Sequence, residues 1–183
     1  MKLLLLLLGA CTMDLGNGAP PVDAGGSGSA SADAAAALAP TAFDLATLST
    51  VMTYKSAAFK QVNKDPYTST VGDFQINVYV LGDDSTYWKV HPETDTTVTV
   101  KEGTVIVREV LDATGAISKI TAIAKAPSGF DPTLGDWWFA ETDPTGTPST
   151  IGAVAACHSC HIPRAVDDYL FGVPKTVQAR LRP

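Results

Sequence analysis

At 183 residues with 45% apolar content, the chain is long enough for one domain with a modest core. Its formal charge is -6, and -7 once Met1–Ala10 with its single Lys is set aside. That acidity excludes docking on nucleic acid or anionic lipid through net positive charge, and it suits a basic partner protein.

The chain opens MKLLLLLLGAC: one Lys, an unbroken Leu run, small residues and then Cys11. This is the layout of an export signal, with an apolar run too short to span a bilayer. Leu8-Gly9-Ala10-Cys11 resembles the lipobox of bacterial lipoproteins. The resemblance implies that residues 1–10 are a lipoprotein signal peptide and that Cys11 is the lipidation site. It also implies that acyl chains are the only hold on the membrane, as more than one chain anchors firmly. Thr12 stands where an Asp would favour inner-membrane retention. The expected location is therefore the periplasmic side of the outer membrane.

Residues 11–40 are rich in Gly, Ala, Ser and Pro and poor in large apolar side chains. Such a segment cannot bury enough surface to offset its ordering entropy, so it reads as a flexible linker. The folded domain is expected over 41–183. Thr41 is placed to cap a helix with Asp44 three residues on. Leu48, Val51, Met52, Ala58, Phe59 and Val62 recur at helical spacing, which predicts a helix over 43–63 ended by Asp65-Pro66.

The pattern then changes to a period of two. Phe74, Ile76, Val78 and Val80 alternate with Gln75, Asn77 and Tyr79, which predicts a half-buried strand. Residues 104–111 and 117–125 read as two more strands, joined by a hairpin turn at Asp112–Gly115. Residues 137–142 read as a fourth strand, closed by the turn Asp143–Gly146, and 96–101 as a short edge strand. After Gly152 the signals are helical again as far as Leu170. The predicted class is α+β: an antiparallel β-sheet with an N-terminal helix and helices at the C-terminal end.

The C-terminal helices hold Cys157-His158-Ser159-Cys160-His161, a C-x-x-C-H motif, which reads as c-type haem attachment and makes them the expected C-terminal haem-binding helices. Two thiols three positions apart lie on one side of a helical turn and reach the two vinyl groups of one haem. The next residue carries its imidazole to the iron. Zinc would need four ligands, and outside the motif only His91 is available. A thiol–disulfide site would sit at a helix start in a βαβ setting, whereas this motif follows the whole sheet. A structural disulfide is the remaining rival. One covalent haem c accounts for every Cys, with Cys11 left for lipid, Cys157 and Cys160 for the cofactor, and His161 as the metal ligand.

With this motif in place the chain resembles the cytochrome P-460 family, which includes the cytochromes c′-beta. The matching segments are Phe59–Val62 with Asp65-Pro66, Ile76–Val80, Gly103–Glu109, Gly129–Pro132 with Gly135–Trp138, Cys157–His161 and Asp168–Phe171. The resemblance implies an antiparallel sheet with helices, a homodimer, and a high-spin haem with the motif His as its one protein axial ligand. It further implies small gaseous or nitrogenous ligands such as nitric oxide, or redox chemistry on small nitrogen compounds. Members that oxidise hydroxylamine cross-link a Lys to the haem, and that Lys aligns with Arg108. A guanidinium stays protonated and is no nucleophile, which argues against the cross-link and against hydroxylamine oxidation. Lys101 or Lys125 substitutes only if the alignment slips, and Pro163 stands near the place of an acidic pocket residue.

Arg108 is the candidate catalytic residue: it either faces the haem, or points to solvent beside Glu109. Of the adjacent Trp137 and Trp138, one is expected to face in and the other out. Phe74 and Tyr79 either line the distal face or pack in the core. Asp167-Asp168 reads as a solvated helix face. The alternative function is a six-coordinate electron-transfer cytochrome using Met52, His91 or a Lys, with a redox partner protein; Met52, on the apolar helix face, reads first as a core residue and His91 as an exposed one.

Overall fold

The structure is a computed structural model that describes residues 39–70, 72–82 and 97–179. Cys11, the signal segment, nearly all of the expected linker and His91 lie outside these residues. The described residues fold as an antiparallel sheet of seven strands with two short helices, an α+β arrangement.

Helix α1 spans Ala42–Val51 and starts as its sequence predicts. Thr41 Oγ1 accepts from the Asp44 amide at 3.1 Å, and Asp44 accepts in return from the Thr41 amide at 2.7 Å. This reciprocal box satisfies donors that the first helical turn leaves unpaired. Asp44 also accepts from Trp138 Nε1 at 2.8 Å, which fastens the cap to the sheet.

The helix expected over 43–63 stops at Val51. Residues 52–59 form turns closed by hydrogen bonds three residues apart, among them Tyr54 N–H to Val51 O and Phe59 N–H to Ser56 O. Strand β1 follows at Lys60–Gln61. Leu48, Val51, Phe59 and Val62 are all buried, so the apolar spacing was real. Tertiary partners decided the backbone: β1 pairs with the next long strand, and Tyr54 and Lys55 reach a buried carboxylate.

Strands β2 (Tyr67–Thr68), β3 (Gln75–Leu81), β4 (Val105–Leu111), β5 (Ile117–Lys125), β6 (Trp137–Thr142) and β7 (Pro148–Gly152) complete the sheet. The order is β1-β3-β4-β5-β6-β7, with β2 also on β3. The turn at Asp112–Gly115 is present, with Asp112 N–H donating to Ala116 O at 2.8 Å. Gly115, at φ 85°, supplies the left-handed position the hairpin needs.

Strand β7 follows the Asp143–Gly146 turn and was not predicted; it starts at a Pro and shows no clear alternation. No strand forms over 97–101. Val98 N–H instead donates to Val166 O, and Val100 N–H to Asp168 Oδ2.

Both faces of the sheet are covered. Ile76, Val78, Val80, Ile106, Val110, Trp137 and Phe139 pack on one face against Leu170 and Val173. Tyr79, Val105, Val107, Ile120, Ala122, Trp138 and Ala140 pack on the other against α1 and Tyr54. This corrects the expectation for the tryptophans. They point to opposite faces by strand alternation, and both are buried, because each face carries its own apolar cluster.

Candidate functional site

Helix α2 (Ala155–His161) carries the C-x-x-C-H motif and runs straight into a 3-10 segment, Ile162–Asp167. It lies on the first face of the sheet. Cys157 is half-buried and packs against the cluster containing Ile106, Trp137 and Phe139; Cys160 is exposed, and both thiols are free. Burial, and then the nearby Glu141 carboxylate, push the Cys157 thiol up, so it stays protonated at neutral pH.

The His161 ring is tightly specified. Its Nδ1 lies 2.6 Å from the Tyr169 carbonyl oxygen. A carbonyl only accepts, so Nδ1 carries the proton and Nε2 carries the lone pair. Phe139 and Phe171 meet the ring edge-on, with centroids at 5.7 and 5.2 Å. Burial holds the His161 pKa below its usual value, and the positive charge of Arg108 acts in the same direction, so the imidazole is neutral. One engaged nitrogen and one free nitrogen on a neutral ring, with two free thiols on the same short helix, form the donor set that haem c attachment uses. The residues present therefore fit that group.

Arg108 faces the same side of the sheet. It sits opposite Val78 and Thr121 in the ladder, and its Nε donates to Thr121 Oγ1 at 3.1 Å. Arg108 is half-buried there, its charge lowers His161, and it tempers the rise of Tyr67, which burial pushes up to about 12. Glu109, its neighbour, is buried on the opposite face.

Several other expectations need correction. Tyr79 lies on the face away from His161, within hydrogen-bonding distance of Glu109, and is no candidate for a distal wall. Phe74 does pack on the His161 side. Met52 packs on the far face too, with its Sδ and Cε close to Gly146, so it is not placed to ligate an iron held by His161. Asp167 and Asp168 are not a solvated face: Asp167 is fully buried with Arg164, and the Asp168 carboxylate is 10% exposed and paired with Lys125. His158 is buried, its ring 4.7 Å from that of Tyr169, and its Nε2 has no hydrogen-bond partner among the described residues.

Sequence reading gave Tyr169, Asp168 and Lys125 no role beside His161. Tyr169 drew notice only as part of the family resemblance, since a backbone carbonyl that orients a ligand leaves no trace in residue type.

An open cleft of about 300 Å³ lies under α1, lined by Phe43, Thr47, Thr50, Leu81, Val105 and Ala124. It is on the face away from His161. No group of three or more His, Cys, Asp or Glu residues is placed to hold a metal ion among the described residues. No described helix is long and apolar enough to cross a membrane. No protein-family model matches the chain, and no curated protein matches it.

Proposed function

We propose that this chain is an exported, lipid-anchored protein of the cytochrome P-460 type. It carries one haem c bound through Cys157 and Cys160, with His161 as the axial ligand. The observation that carries the reading is the His161 ring, whose Nδ1 is committed to the Tyr169 carbonyl while Nε2 stays free beside two free thiols. Each thiol adds across a vinyl group, sulfur to one carbon and hydrogen to the other, so attachment needs no external oxidant. The bound haem supplies an iron that takes small ligands such as nitric oxide or exchanges single electrons.

The chain's own residues do the rest. Phe139 and Phe171 fix the plane of the imidazole. Ile106, Val78 and Phe139 form an apolar wall that lowers the local dielectric. Arg108 offers a positive charge to a propionate or to an anionic ligand, and as an Arg it does not form the cross-link of the hydroxylamine-oxidising members. Ligand binding is preferred over six-coordinate electron transfer because one candidate sixth ligand, Met52, lies on the far face; His91 lies outside the described residues.

The test is an absorption spectrum of full-length protein matured in a host that attaches haem c. A high-spin spectrum that responds to carbon monoxide, and is lost in Cys157→Ser/Cys160→Ser, is the expected result. Colourless protein with both thiols titratable would overturn the reading. A low-spin haem indifferent to carbon monoxide would overturn the ligand-binding half alone.

A further inference from the structure

Eight residues after His161 the chain turns a corner that its residue types disfavour. Asp168 and Tyr169 both adopt left-handed backbone, at φ 51° and 65°. Two successive non-glycine residues there are strained, and two glycines would make the same corner without strain. The corner is held from outside. The Asp168 carboxylate accepts from Lys125 Nζ at 2.7 and 2.9 Å, from the Val100 amide at 2.8 Å and from Trp137 Nε1 at 3.3 Å. Lys125 also donates to the Gly135 carbonyl at 2.9 Å. The Tyr169 ring lies directly over Gly135, where an added Cβ would come within 2.5 Å of Tyr169 Cε2. Backbone and ring of Tyr169 are thus both fixed, and its carbonyl meets His161 Nδ1 at 2.6 Å.

We infer that Asp168, anchored by Lys125, is a positioning residue for the His161 imidazole, acting through the Tyr169 carbonyl. The strained corner aims that carbonyl at Nδ1, and the nearly buried ion pair prevents it from relaxing. The Nδ1–H bond in turn fixes which nitrogen is free and raises the donor strength of Nε2. The effect on an iron rests on the proposed haem reading; the effect on the ring does not.

Two readouts separate these. In full-length haem-loaded protein, the ferrous iron–imidazole stretching band is followed by resonance Raman. In the full-length haem-free chain, the ¹⁵N shifts of His161 report its tautomer. Asp168→Asn tolerates the left-handed backbone but loses the ion pair. It is expected to move the Raman band to lower frequency and to turn a single Nδ1–H tautomer into a mixture. Lys125→Met should shift both in the same direction by less, and it decides the matter if Asp168→Asn does not fold. Tyr54→Phe, on the other face of the sheet, should lower Tm and move neither signal. Folded Asp168→Asn and Lys125→Met proteins with unchanged band and shifts would overturn the inference, as would equal shifts in Tyr54→Phe. If wild-type protein takes up no haem, the proposed function fails while the nitrogen shifts still decide the role of Asp168.

Discussion

The two faces of the sheet each bury a carboxylate, and they hold it differently. On the α1 face, Glu109 is 1% exposed and receives hydrogen bonds from Tyr54 at 2.8 Å and Asn77 at 2.9 Å, with Tyr79 at 3.3 Å. Its cation, Lys55, is 57% exposed and reaches in from solvent. On the His161 face, Asp168 is held by a Lys125 that is itself nearly buried, 15% exposed. Glu109 is a packing clamp: Lys55 and three neutral donors satisfy it, and it fastens the irregular stretch after α1 to the sheet. Asp168 holds a strained corner whose next carbonyl meets the His161 ring. One carboxylate ties packed elements together, whereas the other is spent on strained backbone beside a candidate site.

The largest effect should come from removing the clamp. Glu109→Ala leaves Tyr54, Tyr79 and Asn77 without their acceptor and should cost about 3 kcal/mol of unfolding free energy, read by urea titration. Burial pushes the Glu109 carboxyl up, but hydrogen bonds from Lys55, Tyr54 and Asn77 outweigh it and hold the group below its usual pKa. Its contribution is therefore full above about pH 4.3, the unfolded value, and is lost as pH falls through the lower folded value. Wild-type stability should drop in acid more steeply than that of Glu109→Gln; parallel curves would break the distinction.

On the other face, Gly135→Ala forces a methyl group against the Tyr169 ring at a left-handed position, φ 64°. A loss of about 2 kcal/mol is expected. Unlike Glu109→Ala, it should also disturb the His161 nitrogen shifts. Tyr54→Phe deletes one donor of the clamp and should cost about 1 kcal/mol. Lys119 and Glu141 pair at 2.8 Å on the His161 side, but each is 40% exposed. Lys119→Met should therefore change stability by less than about 1 kcal/mol, and less still at high salt. A larger loss would mean that this face depends on charge more than its burial suggests.

Much of this was legible in the sequence. Alternation placed β3, the β-branched runs placed β4 and β5, and Thr41 with Asp44 placed the start of α1. The C-x-x-C-H spacing picked out Cys157, Cys160 and His161 as the proposed site without any structure. The helix over 43–63 was misread because Phe59 and Val62 satisfy a helical period and are buried from turns and strand pairing instead. Sequence left Tyr79 open between a distal wall and the core, because its role follows from which face of β3 meets Glu109. The Asp167-Asp168 pair looked solvated because adjacent acids usually are, and their cations lie at Arg164 and Lys125, the latter 43 residues away in sequence.

The sequence by itself determined the local matters: strand periodicity, turn chemistry, the capping box and the C-x-x-C-H spacing. Each of these depends on residues within a few positions of one another, where side-chain period and backbone preference act directly. Only the tertiary structure decided that both faces of the sheet are covered, that Arg108 shares a face with His161, and that Met52 does not. It alone brought Lys125, Val100 and Trp137 to one carboxylate. Such contacts depend on how distant strands register, and register follows from the packing of the whole core.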